Sequence, residues 1–429
     1  MAFARYLFGD TNPFAVGGVI DLTQVPENVK LWLLVAGPYW GVVGGLALRQ
    51  RYRQRRLDDS ATLSVGGLAG FVAGPILLVP VWFFTPDLKR GWVLPVLTFL
   101  SLLAFYFAFK SIHPDNLCVT NERYVGTQIV NGLTIGVLYA LMAIGLTLIY
   151  SIQGIVSFAH GQLYMLGGFT SFYVLDWLGG GINPVFGIFI AGMVMMGIGL
   201  VFEWGFLRPM HLGRIERASE YAILITFGFG FFVEYTVLAS AGAIPRKLNG
   251  YVGKELEKET FDKIYDEFGL TSVISDRVVA GAIALVLIIL LLIFIRYTWW
   301  GRALRAVSMD RQAAAVVGIN PLIMNTFAFG LGTMLAGMSG AALVSIFNFT
   351  PGVGAPAAAR SYVIVVLGGL GSVPGALVGG LIIGLIEALG SGCYPDITRG
   401  SAYKDSFGLV LFAIILLIRP TGIFGRQRS

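Results

Sequence analysis

Apolar runs of membrane-crossing length constrain this chain more than any other feature. A bilayer-spanning helix needs about 20 mainly apolar residues. Eleven stretches approach or exceed that length: Leu31–Leu48, Ala61–Phe84, Trp92–Phe109, Tyr124–Tyr150, Gln162–Leu178, Pro184–Leu207, Tyr221–Ala241, Val278–Ile295, Leu322–Phe347, Ser361–Leu389 and Phe407–Ile418. Charged residues make up only 13% of the chain, against about 25% in soluble domains. Glycine is abundant, at 57 residues, and glycine in membrane helices lets backbones approach closely or break. The expected fold is all-α: a polytopic transmembrane helical bundle with broken or re-entrant Gly-rich helices. Trp82, Trp92, Trp299 and Trp300 stand at the ends of stretches, as interfacial anchors do.

Lys and Arg gather in four clusters between the apolar runs: Arg49–Arg56, Arg208–Arg217, Arg296–Arg311 and Arg419–Arg428. Clusters of this kind mark cytoplasmic loops. The net charge of +6 therefore speaks of orientation in a lipid bilayer and excludes nucleic acid as a partner. Threading the stretches between clusters leaves an odd number twice, once before Arg208 and once after Arg311, where an even number is required. A break in each half repairs the count, and the two Gly-rich places for it are Gly154–Gly161 (GIVSFAHG) and Gly368–Gly375 (GGLGSVPG). Broken membrane helices are tolerated where they line an enclosed cavity, and paired breaks in two halves point to a substrate site. This threading leaves Lys89 and Arg90 on the outer side. Residues 1–30 lack the basic and apolar regions of a secretory signal, so insertion is expected to rely on the spans themselves.

Between Pro245 and Asp276 the chain carries nearly balanced charge, as an external loop does. Phe261, Ile264, Tyr265 and Phe268, closed by Gly269, have the spacing of a short amphipathic helix. Such a helix either lies on the bundle or headgroups, or docks an external protein. Cys118 and Cys393 have no metal-ligand spacing and are too few for a disulfide framework, which leaves a single pairing open. The three His are too dispersed for a metal site. No G-x-x-x-x-G-K-[ST] phosphate loop is present.

The stretch Arg296–Pro321 reads RYTWWGRALRAVSMDRQAAAVVGINP. Asp310 is placed to cap a short Ala-rich helix over Arg311–Val317. Gly318 ends it, and Asn320-Pro321 prevents its continuation. The simplest reading is an ordinary basic cytoplasmic loop. A sharper one is a helix whose Ala314 face seats in a groove on another protein. Gly301, Arg302, Arg305, Ala306, Asp310, Ala314, Gly318, Ile319 and Asn320 match G-R-x-x-R-A-x-x-x-D-x-x-x-A-x-x-x-G-I-N, the coupling loop of branched-chain amino acid (LivH-type) ABC transporter permeases. Three other stretches resemble that family in the same order. They are Asn131–Tyr150 followed by Phe158-Ala159-His160-Gly161, then Leu367–Glu387, then Tyr403-Lys404-Asp405 with Arg419–Gly425. Gln162 stands where family members often carry Glu.

The resemblance implies a permease core over residues 121–429, preceded by an extension over 1–120 with about three spans of its own. It implies a bacterial inner (plasma) membrane subunit that pairs with a second related permease, two ATPase subunits and a periplasmic or extracellular solute-binding protein. Such a subunit is not an enzyme and holds no cofactor; ATP binds its partners. The implied cargo is branched-chain or other hydrophobic amino acids, with urea and short amides as close alternatives. Substrate-path candidates are His160, Gly161 and Gln162 at the first break, Gly368, Gly369, Gly371, Ser372, Pro374 and Gly375 at the second, and Glu387 beyond it. Arg302, Arg305, Asp310, Ala314 and Gly318 are the ATPase-coupling candidates. Half-helix N-termini at the breaks suit a carboxylate, although glycines also serve plain close packing. His160 alternatively bonds an unravelled backbone carbonyl. Arg360 meets either a substrate carboxylate or the headgroups. Glu234 and Glu387, acids in apolar surroundings, require partners and keep an ion-coupled secondary transporter in view.

Overall fold

The computed structural model describes residues 116–179, 183–248, 250–251, 275–394, 397–418 and 421–425. The three stretches between Leu31 and Phe109, the helix expected around Phe261 and the tail arginines lie outside the described residues. Among the described residues there is no strand, and six helices are long and apolar enough to cross a membrane. The fold is an all-α polytopic bundle. Its helices are α1 (Glu122–Gln153), α2 (His160–Trp177), α3 (Pro184–Phe202), α4 (Ala218–Ala241), α5 (Ser275–Tyr297), α6 (Trp299–Met309), α7 (Arg311–Val316), α8 (Pro321–Leu343), α9 (Gly354–Gly368), α10 (Val373–Gly392) and α11 (Lys404–Ile418).

The described residues fall into two compact units. The larger takes 123–389, 405–412 and 421–425. Its centre is α1 and α8, in which 83% of the most apolar window is buried, against 28% for α4. Lipid tails are as apolar as leucine, so helices in a membrane associate through close packing more than through the hydrophobic effect. Glycine permits that packing here: a Cβ on Gly332 of α8 would stand 2.6 Å from the Gly145 carbonyl oxygen of α1. Helix α3 runs on through a π turn, Glu203–Leu207, into Arg208–His211. The Glu203 carboxylate is fully buried there and accepts a hydrogen bond from the Thr326 hydroxyl of α8.

The stretch Ser361–Leu389 is two antiparallel helices, not one span. Gly375 of α10 faces Gly368 of α9, and four residues further Gly379 faces Ile364. This hairpin places the Gly-rich break after Arg311 between two helices, as the sequence suggested, although α9, at 15 residues, is not among the six helices of membrane-crossing length. The first break separates two helices that the sequence already shows as separate, so the earlier count turns on residues outside those described.

The smaller unit takes 116–122, 390–394, 397–404 and 413–418. Cys118 and Cys393 form a disulfide. Asn116 lies beside it, its amide donating to the Cys393 carbonyl at 3.1 Å and its Oδ1 accepting from the Cys118 amide at 2.9 Å. Disulfides persist in oxidising compartments.

Candidate functional site

The first break begins where α1 ends. Gly154 takes φ +73°, open to glycine at no steric cost, and residues 154–159 run without helical structure to His160. The His160 ring is fully buried, and its Nε2 lies 2.9 Å from the Met142 carbonyl oxygen. A carbonyl only accepts, so Nε2 carries the proton and donates, which leaves Nδ1 as a bare acceptor. Met142 lies eleven residues before Gln153, about 16 Å along the axis at about 1.5 Å per residue. The break thus climbs back beside α1, and α2 starts inside the bundle.

Other helices hold the climbing segment. The Thr226 hydroxyl of α4 accepts from the Phe158 amide at 3.2 Å, and the Tyr362 hydroxyl of α9 donates to the Ser157 carbonyl at 3.0 Å. The Phe158 ring stands 5.5 Å from that of Tyr362 and 6.2 Å from that of Phe227. The Gln162 amide donates to the Glu234 carboxylate at 2.8 Å, which gives the acid in α4 its partner.

The start of α2 meets the start of α9. A Cβ on Gly161 would stand 2.6 Å from the Ala358 Cβ and 2.7 Å from its amide nitrogen, and a Cβ on Gly354 would fall onto the Gln162 side-chain oxygen. Two helix N-termini, each with unsatisfied N–H groups and partial positive charge, therefore converge within the protein. Around them Ser157 Oγ, His160 Nδ1 and Gln162 Oε1 are buried and make no hydrogen bond. The sequence reading missed α9 as a partner. Its signal was the Pro351-Gly352 turn and the small-residue run Gly354-Ala355-Pro356 that follow an apolar stretch.

The second break, Gly369–Ser372, stays beside the end of α1. Gly371 stands against Ser151, in the last turn of α1, at 3.6 Å from a built Cβ. Together with Ser372, Val373 and Pro374 it borders a cavity of about 660 Å³ that Arg296, Arg305 and Ser308 also line. Gly369 and Gly371 both have positive φ, +102° and +84°. Ser372 caps α10, its Oγ accepting from the Gly375 amide at 3.1 Å. The amides of Ile423 and Phe424 donate to the Leu367 and Gly368 carbonyls at 2.8 and 2.9 Å. The T-G-x-x-G tail motif is thus the C-terminal cap of α9. The two breaks share only the end of α1: the first climbs from there into the bundle interior, and the second stays at the basic end.

Glu387 is 2% exposed and is paired. Its carboxylate faces the Arg360 Nε at 3.5 Å and accepts from the Tyr139 hydroxyl at 3.3 Å. The Arg360 guanidinium also binds Asp405 and lies 5.4 Å over the Tyr139 ring. Arg360, itself half-buried, thus pairs with two acids of its own chain, the buried Glu387 and the exposed Asp405.

In the loop between α5 and α8, Thr298 caps α6 through the Gly301 amide at 3.0 Å. The Arg305 guanidinium donates to the Arg296 carbonyl at 3.2 Å, covering the end of α5, while Arg302 is exposed. Asp310 Oδ1 accepts from the Gln312 and Ala313 amides at 2.8 and 3.0 Å, capping α7. Gly318 ends α7 at φ +87°, with the Ile319 amide returning to the Ala314 carbonyl at 3.0 Å. Ala314 differs from expectation. It is 3% exposed and faces its own chain, because α7 lies against α8 on that side. Met309, Val316 and Val317 are the most exposed apolar side chains of this loop, at 86%, 87% and 74%, ahead of Trp299 and Trp300. Among the described residues no cluster of His, Cys, Asp and Glu has the arrangement of a metal site.

Comparison with known proteins follows the same lines. The model for the permease component of branched-chain amino acid transport systems matches residues 128–419. The high-affinity branched-chain amino acid transport permease LivH of Escherichia coli K12 is 33% identical over 329 residues, covering 71% of this chain and 96% of LivH. BraD of Pseudomonas aeruginosa, with the same description, is 31% identical over 312 residues, covering 70% and 95%. LivM of Salmonella typhimurium, a permease of the same named system as LivH, is 26% identical over 258 residues, covering 56% and 58%. No solved structure matches the chain.

Proposed function

We propose that this chain, which belongs to the permease family of branched-chain amino acid transport systems, lines the substrate path of an ATP-driven importer beside a second, related permease. It is a multi-pass inner-membrane transport component and not an enzyme. Two ATPase subunits engage the loop between α5 and α8, and a solute-binding protein delivers cargo at the disulfide end. Residues 121–429 form the permease core and 1–120 an extension with further spans; the family match over 128–419 supports that division. ATP is bound by the partners, and this chain carries no cofactor.

The observation that carries the reading is the meeting of α2 and α9 at Gly161 and Gly354. Converging helix N-termini suit the carboxylate of an amino acid. The aromatic group Phe158, Phe227 and Tyr362 beside them suits a branched aliphatic side chain, which favours that cargo over urea or short amides.

The test is copurification followed by reconstitution. A tagged chain should bring down two ATPase subunits and a second permease. In vesicles with the binding protein, leucine uptake should require ATP and be competed by isoleucine and valine. Gly354→Val, which fills the meeting point, should abolish uptake while ATPase subunits still copurify. Uptake driven by an ion gradient without ATP would overturn the reading, and uptake of urea in place of leucine would replace the cargo.

A further inference from the structure

The coupling loop touches the first break through one side chain. The Arg311 guanidinium donates to the Ile152 carbonyl. Ile152 lies in the last turn of α1, where carbonyls have no intrahelical partner, and two residues before Gly154 opens the break. A cation at a helix C-terminus also complements its partial negative charge. Neighbouring contacts make that corner stiff. The Gln153 side chain donates to the Asn325 carbonyl in the first turn of α8 at 2.9 Å. Ala314 is buried on the inner side of α7, and Asp310 fixes the α7 start. Eight residues beyond Ile152 stands His160, bonded to the Met142 carbonyl, and just before it Phe158 and Ser157 are bonded to Thr226 and Tyr362.

We infer that Arg311 is a positioning residue for transport: it ties α7 to the end of α1, so that displacement of the loop is delivered to the turn from which residues 154–160 climb. Arg305, which with Leu304 and Ser308 lines the cavity beside the second break, donates its guanidinium to the end of α5 and not to α1. The inference rests on the reading of the chain as an ATPase-driven permease. Arg311 acts through a carbonyl of its own chain and is separate from the outward apolar residues Met309, Val316 and Val317.

The experiment compares the unsubstituted complex with Arg311→Gln and Arg311→Lys in reconstituted vesicles. Leucine transported per ATP hydrolysed should fall about tenfold in Arg311→Gln, the loss expected when a charge-assisted hydrogen bond is removed. It should recover largely in Arg311→Lys, whose ammonium still reaches a carbonyl. ATPase copurification should be unchanged in both. A single reporter thiol, Phe158→Cys, should change its labelling rate on ATP addition in the unsubstituted background and not beside Arg311→Gln. An unchanged ratio in Arg311→Gln, or loss of ATPase binding, would overturn the inference. If the unsubstituted chain binds no ATPase, the permease reading fails first and this inference with it.

Discussion

The two helix breaks are built from opposite materials. The first is held by side chains: Thr226, Tyr362, Gln162 with Glu234, and the His160 ring each make one bond from a different place. The second is held mainly by backbone: two main-chain bonds from Ile423 and Phe424, and glycines at φ values that strain other residues, with Ser372 the one side chain that caps it. A side-chain-held segment can be loosened one bond at a time, each worth about 1 kcal/mol. A backbone-held turn keeps its geometry or loses it altogether. The first therefore suits a segment that must adjust during a cycle, and the second a fixed corner.

The largest effect should come from Gly369→Val. At φ +102° its Cβ would meet the Gly425 Cα at 2.8 Å and the Phe424 carbonyl carbon at 3.0 Å. Strain and overpacking together should cost about 4 kcal/mol, read as a collapse of the thermal-unfolding midpoint in detergent. Deleting residues 421–429 should follow at about 2–3 kcal/mol, because two buried carbonyls lose their donors. A deletion with no thermal penalty would show that the tail caps nothing. Gly371→Ala sharpens the contrast within the same turn. Its nearest neighbour is 3.6 Å away, so only the φ cost of about 1–2 kcal/mol remains, and a loss equal to that of Gly369→Val would break the account of the corner.

At the first break the losses should be smaller and graded. Thr226→Val strips the Phe158 amide of its acceptor and should cost about 1–2 kcal/mol. Tyr362→Phe should cost about 1 kcal/mol, the least of the set, while raising the labelling rate of a thiol at position 158. Cooperative unfolding from Tyr362→Phe alone would mean that the first break is as brittle as the second.

Local chemistry made much of this legible in the sequence. The Asp310 cap and the Gly318 stop depend on residues within a few positions of one another and stand as read, while Asn320-Pro321, read only as a stop, also caps and opens α8. Both breaks were visible because Gly and Pro punctuate whatever surrounds them. The direction Ala314 faces was not visible, since a six-residue helix shows no stripe and its inner side is chosen by α8. The same holds for Arg360, whose acids lie 27 and 45 positions along the chain, and for Gly161, whose small neighbour Gly354 lies between two apolar runs. The pairing of helix starts needs two distant segments to be placed together, and no local pattern encodes it.

The Cys118–Cys393 bond also sets a schedule. The partners are 275 residues apart in sequence, so at about 5–20 residues per second the second thiol is synthesised roughly 15–55 s after the first. Cys118 waits through that interval while α1 to α10 are made. The chain contains only 2 Cys, so no wrong intramolecular partner exists and the wait is safe within one molecule. Closure of the bond then certifies that all the intervening helices have been threaded and that both ends have reached the oxidising side.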